Sequence, residues 1–264
     1  MTGGQATSAG LLSIFFPMWN EEDYVERAID AARTTCGELV TERAIDDYEL
    51  IIVDDASTDR TPEIADGLAA ADPHVRVVHH PVNRRLGGSI KTGLAASRGD
   101  VVLYTDADLP WEMGELKRAL RVLRTYEVDI ISAYRLDRTG EGPQRTIYSF
   151  FYNGLIQLMF RTRIRDINFS FKLFTRRVLD AVHPVSESSF IDAEIVIRAR
   201  NAGFEILQIG VDYFPRTRGI STLSSPAVIR ALLRELVALR GDLRRGSARQ
   251  AAGAGAGEDV TVSH

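Results

Sequence analysis

The chain has 264 residues, 45% hydrophobic and 26% charged, with a net charge of -4, the make-up of an ordinary soluble globular protein of one or two domains. The acidic balance excludes general nucleic-acid binding through a basic face, and the single cysteine, Cys36, excludes an intrachain disulfide or a cysteine-rich zinc site. No stretch approaches the roughly 18 apolar residues of a spanning helix, and the N-terminus lacks the basic and apolar regions of a secretory signal, so a cytoplasmic location is expected.

Past a small, polar N-terminus, residues 1–10, short aliphatic or β-branched runs alternate with segments of helical period. Leu11–Phe16 predicts a strand, Glu22–Val40 a helix that buries Cys36, and Glu49–Val53 a second strand. Thr61–Ala71 predicts a helix with Ser57 and Thr58 as candidate N-caps and Pro62 in its first turn. Arg76–His80 and Val101–Thr105 predict strands, Ser89–Ser97 and Glu112–Thr125 helices, and Val128–Ala133 a further strand. Ile147–Phe160 is rich in aromatic and aliphatic residues. Residues 226–245 read as a basic amphipathic helix with Val228, Ile229, Leu232, Leu233 and Leu236 on one face, and residues 246–264 as a Gly/Ala-rich tail. The alternation implies right-handed crossovers and one α/β domain over residues 11–225, a mainly parallel mixed sheet flanked by helices.

Ligands of such sheets collect at the carboxyl ends of the strands, and the unusual polar residues fall there: "PMWNEED", "DDASTD", "PVNRRLGG" and "DADLP" follow the first four strands. Glu21, Asp54, Asp55, Asp106 and Asp108 would raise one another's pKa if left unneutralised. A divalent cation sharing its coordination with bound phosphates resolves this, and hard oxygen ligands select Mg2+ or Mn2+. The plainer alternative is that Asp54, Asp55 and Asp59 cap the following helix; it suits Asp106 and Asp108 less, since Pro110 and Glu112 already start the next helix.

"NRRLGGSIKTG" is neither a Walker A loop nor a dinucleotide fingerprint. Gly87 and Gly88 permit a close backbone approach, with Lys91 and Arg85 as structural cations or phosphate contacts. Further on, Arg135, Arg138, Arg145, Arg161, Arg163, Arg165, Lys172, Arg176 and Arg177 form a basic stretch. For Arg161, Arg163, Arg176 and Arg177 a solvated face or a membrane surface is the reading.

"FFPMWNEE", "IIVDDASTD", "NRRLGGSIKTG" and "LYTDADLP", in this order, resemble the inverting family 2 glycosyltransferases of the GT-A fold. "SAYR", "DINFSFKLF", "DAEIVIRARNAGFEI" and "PRTRGIS" resemble the branch of dolichyl-phosphate mannosyltransferase and other polyprenyl-phosphate sugar synthases. The resemblance implies a nucleotide-sugar site at Pro17, Trp19, Glu21, Val53, Asp55, Asp106, Ala107, Asp108 and Arg216. It implies a metal on Asp106 and Asp108, and an acceptor-phosphate site at Arg135, Arg145 and Ser149. The chain departs from the branch at Pro110, where a Gln often stands, and at Thr222, where a lysine is usual.

The implied reaction moves a sugar from a UDP- or GDP-sugar to polyprenyl or dolichyl phosphate with inversion, Asp108 and Arg216 easing departure of the nucleoside diphosphate. An alcohol acceptor would need a general base, for which Asp192 is the candidate, its alternative being a helix cap. A nucleotide-sugar-binding protein without turnover is the reading from another class. A lipid acceptor implies peripheral membrane contact through Ile147–Phe160 or the C-terminal amphipathic helix, whose alternatives are a core helix or a homodimer contact.

Overall fold

The computed structural model describes residues 10–137, 153–160, 164–214 and 234–243. In chain order these form β1 (Leu11–Met18), α1 (Val25–Thr41), β2 (Asp47–Asp54), α2 (Thr61–Ala71), β3 (Val75–His79), α3 (Arg85–Ala96), β4 (Val101–Thr105), α4 (Glu115–Thr125) and β5 (Ile130–Arg135). Then follow α5 (residues 153–160), β6 (Phe171–Thr175), α6 (Arg176–Ala181), α7 (Ile191–Asn201), β7 (Ile206–Val211) and α8 (residues 234–243). The expected GT-A arrangement is present as a seven-stranded sheet of order β3-β2-β1-β4-β6-β5-β7. β6 runs antiparallel to both β4 and β5, and every other neighbouring pair is parallel.

Helices cover both faces, so the strands are buried on both sides and read as continuous apolar runs. Leu12, Ile14 and Phe16 point to one face with Leu50 and Ile52, against α1 and α4; Phe15, Ile51 and Val53 point to the other, against α3 and α7. Gly93 lets α3 lie directly on β1, since a Cβ there would overlap the Phe15 ring. Cys36 is buried in the first face, and burial pushes its thiol up to about 12.

Several boundaries differ from those the pattern predicts. α1 starts at Val25 because a turn precedes it, with Glu21 O accepting from both Tyr24 N and Val25 N. α3 begins at Arg85, whose φ of 60° marks an abrupt entry. Neither Ser57 nor Thr58 caps α2; the N-cap residue is Arg60, and Asp59 Oδ1 accepts from Thr61 N at 2.9 Å. Lys172, counted in the basic stretch, is fully buried, and Arg176, expected on a solvated or membrane face, is half-buried and donates to Ser97 O and Gly99 O.

At the amino ends of the strands, buried Glu49 accepts from Ser13 Oγ at 2.6 Å and Arg98 N at 2.7 Å, and pairs with the Arg98 guanidinium at 2.8 Å. Gly99 N donates to the same Ser13 hydroxyl at 2.7 Å. This knot ties β1, β2 and the turn into β4 on the edge opposite the polar loops.

A third apolar cluster joins α5, α7 and α8 through Ile156, Val196, Ile197, Leu236 and Leu239. Leu236, expected on the apolar face of the amphipathic helix, is therefore a core residue. Ser186 and Ser188 donate to Glu235 at 2.9 and 2.6 Å and hold α8 to the loop before α7. Among the described residues no helix is long and apolar enough to cross a membrane.

Candidate active site

β1, β2 and β3 are laid down in one direction and β4 on the other side of β1, which puts the switch of strand order between β1 and β4. The carboxyl ends of these parallel strands share one edge, and the loops leaving them at the switch lie where ligands of such sheets are expected. Pro17 lies opposite Val53 and Met18 opposite Asp54. Past Met18, Asn20 turns the chain with a φ of 55°, a conformation asparagine tolerates.

The loops after β1 and β2 are zipped together. Asn20 Oδ1 accepts from Thr58 N at 2.8 Å, Asn20 N donates to Ser57 Oγ at 3.0 Å, and Glu21 N donates to Thr61 Oγ1 at 2.9 Å. Glu22 N donates to Asp59 and Arg60 N to Glu22. Burial pushes the Asp59 carboxyl up, but bonds from Thr61 and Glu22 outweigh it and hold the group below its ordinary value. The zipper leaves Trp19 56% exposed and Glu21 half-buried.

Asp54 and Asp55, expected beside a cation, each meet an imidazole. His79 Nδ1 meets Asp54 Oδ2 at 2.8 Å, and His80 Nδ1 meets Asp55 Oδ1 at 2.6 Å. Ser57 N also donates to Asp54, and Arg84 N to Asp55 Oδ1 at 2.7 Å. The bond to Asp54 raises the His79 pKa. His80 Nε2 in turn meets Thr92 Oγ1 at 2.8 Å, so Asp55 is tied through an imidazole to α3. The "HH" pair ending β3 was the available signal for this arrangement.

Asp106, Ala107 and Asp108 lie on the loop leaving β4. Ala107 is buried, Leu109 has a φ of 45°, and Asp106 O accepts from Leu109 N, so the two carboxylates flank a tight turn. Below them Trp111 stacks on Phe171 at 4.2 Å and donates to Thr105 Oγ1, and Pro110 O accepts from Phe214 N. The Tyr104 hydroxyl donates to Asp106 at 3.5 Å. Burial, then the negative charges of Asp192, Asp106 and Asp108, push that phenol well above its ordinary value. Such a field suits a cation. Among the described residues no group of three or more His, Cys, Asp or Glu side chains forms a metal cage. Two carboxylates on one turn suit a hard cation that takes its remaining ligands from other oxygens, as Mg2+ does; Pro110 adds no side-chain oxygen.

On the far side of β4, Arg135 ends β5 and pairs side-on with buried Asp166, Nε to Oδ2 at 2.6 Å and Nη2 to Oδ1 at 2.5 Å. Its guanidinium stands over the rings of Phe169 at 5.5 Å and Tyr213 at 5.0 Å. Asp192 sits in the first turn of α7 without capping it; its carboxylate is buried and bonded to Lys172 Nζ at 2.7 Å. Burial raises the Asp192 pKa, Lys172 opposing the shift and Asp166 adding to it. Lys91 donates to Val185 O at 3.1 Å and approaches Glu187, the structural reading of that lysine. Gly87 meets the Glu187 backbone, where a Cβ would overlap. Arg145, Ser149, Arg216 and Thr222 lie outside the described residues.

Thus Pro17, Trp19, Glu21, Val53, Asp55, Asp106, Ala107 and Asp108 gather at one sheet edge, with Arg135 two strands beyond β4. Buried His80, Asp166 and Lys172, with the more exposed His79, complete the polar surroundings, and none of them stood out as a site residue in the sequence.

Comparison with known proteins agrees with this geometry. Glycosyltransferase AglD of Haloferax volcanii is 35% identical over 80% of this chain and 34% of its own length. Dolichyl-phosphate beta-glucosyltransferase ALG5A of Trichomonas vaginalis is 27% identical over 76% of this chain and 65% of its own. The chain thus spans about a third of the first relative and just under two thirds of the second. The crystal structure of Mycobacterium tuberculosis glucosyl-3-phosphoglycerate synthase with Mn2+ and UDP-glucose superposes with a TM-score of 0.68, covering 88% of this chain and 79% of that one. At 21% identity that likeness establishes the fold. The family model of glycosyl transferase family 2 matches residues 13–182, and with the strand order and the strand-end loops this shows that the chain belongs to glycosyl transferase family 2.

Proposed function

We propose that this chain is a metal-dependent inverting glycosyltransferase that moves a sugar from a nucleoside diphosphate donor to a polyprenyl phosphate. The observation that carries the donor half is the Asp106/Asp108 pair at the switch of strand order, beside two aspartates hydrogen-bonded to histidines. Pro17, Trp19, Glu21, Val53 and Asp55 would hold base and ribose, and Asp106 and Asp108 the metal and diphosphate. Bound there, Mg2+ or Mn2+ would supply charge stabilisation to the departing nucleoside diphosphate. Arg216, carried over from the family motif, would add a cation on the same oxygens.

The acceptor half rests on Asp192 and Arg135. An alcohol must lose its proton to a base within hydrogen-bond reach, whereas Asp192 is buried and bonded to Lys172. A phosphate acceptor brings an anionic oxygen of its own and needs a cation to orient it. Arg135, held edge-on by Asp166, supplies one, with Arg145 and Ser149 completing the site by family position. The dolichyl-phosphate beta-glucosyltransferase among its relatives and the UDP-glucose and Mn2+ of its structural neighbour support a dolichyl-type acceptor and UDP-glucose as the first donor to test. Leu158, 80% exposed on α5, is part of the surface that would meet a bilayer.

The test is a donor-by-acceptor screen: UDP-glucose and GDP-mannose, with and without Mn2+, against polyprenyl phosphate and soluble alcohols. Metal-dependent turnover with the lipid phosphate, lost in Arg135→Ala, is expected. Turnover on an alcohol that survives Arg135→Ala and disappears in Asp192→Ala would replace this reading with the base-catalysed one. Nucleotide binding without any turnover would leave a binding protein.

A further inference from the structure

Lys172 lies between the strands that carry the two halves of the site. It lies on β6, opposite Tyr104 of β4 and opposite Ser132 of β5. Tyr104 is two residues before Asp106, and Ser132 three before Arg135. The side chain is fully buried. Its ammonium donates to Asp192 Oδ1 at 2.7 Å and to Phe169 O at 2.7 Å, and stands 5.8 Å from the Tyr104 ring centre.

Stability alone is a poor reason for this lysine. A buried ion pair contributes little beyond a well-packed apolar pair of the same volume. What an apolar pair lacks is direction. Phe169 closes a short turn in which its N–H donates to Asp166 O and Asp166 holds a φ of 50°. That turn makes two of the contacts fixing the Arg135 guanidinium: the side-on carboxylate of Asp166 and the ring of Phe169. Pairing through Nε and Nη2 turns the Nη1 edge of the guanidinium away from Asp166. Lys172 anchors the end of the turn from below, and Asp192 on α7 anchors Lys172.

We infer that Lys172 is a positioning residue for acceptor binding: through Phe169 O it holds the 166–169 turn, and through that turn the orientation of Arg135 relative to the carboxylates after β4. The assignment of Arg135 to the acceptor phosphate rests on the function proposed above; the mechanical link from Lys172 to Arg135 does not.

Two variants separate this role from packing. Lys172→Met strands Asp192 without its partner and should lower thermal stability; Lys172→Met with Asp192→Asn removes both charges and should restore it. Both lack the bond to Phe169 O. In both, the KM for polyprenyl phosphate should rise on the order of tenfold, as for one lost charge-assisted hydrogen bond, while UDP affinity in the presence of Mn2+ stays unchanged. Recovery of the acceptor KM together with stability in the double variant would overturn the inference. Hydrogen exchange at the Arg135 Nε–H, identified by its loss in Arg135→Lys, reads the link without any acceptor. It should quicken in both variants, and unchanged exchange would also overturn the inference. If the wild-type chain fails to use polyprenyl phosphate, the functional reading falls, and the exchange measurement still decides whether Lys172 holds Arg135.

Discussion

Asp106 and Asp108 flank a buried alanine on one tight turn, and the Tyr104 phenol beneath them registers their combined charge. Removing one of those charges at nearly constant volume should have opposite effects on stability and on function. Asp108→Asn is expected to leave the melting temperature unchanged or slightly raised, since two like charges one residue apart repel. Its turnover should fall on the order of 10²- to 10³-fold, the usual cost of losing one contact to developing charge, and Mn2+-dependent UDP binding should weaken. Retention of full metal-dependent binding would sink the assignment of Asp108 to the metal. This pair was legible because two acids directly after an apolar run have no packing role. Asp54 and Asp55 looked similar in the sequence, yet their partners, His79 at the end of β3 and His80 just after it, became visible only once β3 was seen beside β2.

Elements meet at Glu49 on the opposite edge, where one carboxylate serves β1, the turn into β4 and its own strand. Burial pushes its pKa up, but bonds from Ser13 and from the Arg98 backbone and guanidinium, with the charge of Arg76, outweigh that and hold it below the ordinary carboxylate range. A carboxyl with a lowered folded value stabilises the protein above its unfolded pKa and loses that contribution as pH falls through the folded value. The effect therefore belongs to the acid side, below about pH 4.3. Glu49→Gln should cost about 1–3 kcal/mol near neutral pH, because buried donors lose a charged acceptor, and should flatten the acid limb of a stability-against-pH curve measured by urea unfolding. An unaltered acid limb would mean that other carboxylates govern it. Helix starts were misread at this scale for a local reason: α1 is preceded by a hydrogen-bonded turn and α3 opens on a left-handed residue, and neither leaves a mark in apolar periodicity.

For the whole molecule, alternation of strand and helix over the first four strands was enough to imply a parallel sheet with its site at the carboxyl edge, and β4 was predicted to the residue. The reversed strand β6 was not legible. Its direction depends on pairing with β4 and β5, far away in sequence, and its interior lysine argues against a buried strand until Asp192 is found beside it. For the same reason the Lys172–Asp192 pair and the Asp166–Arg135 clamp emerged only from the assembled sheet. The amphipathic C-terminal segment suited a membrane surface, with a core helix or a dimer contact as alternatives, and Leu236 and Leu239 complete the cluster around α7.

The placement of the two tryptophans gives this fold a pair of optical probes at separate depths. Trp19 stands largely in solvent on the rim, whereas Trp111 is buried and stacked on Phe171 under the carboxylate turn. Indole emission should accordingly contain a red component from Trp19 and a blue one from Trp111. Nucleotide added to the folded protein should quench or shift the red component alone, and denaturant should move the blue one. Trp19→Phe should abolish the ligand response while preserving the unfolding signal; a ligand response that persists would put the base elsewhere than beside Trp19. A single spectrum would thus separate occupancy of the crevice from integrity of the core beneath it.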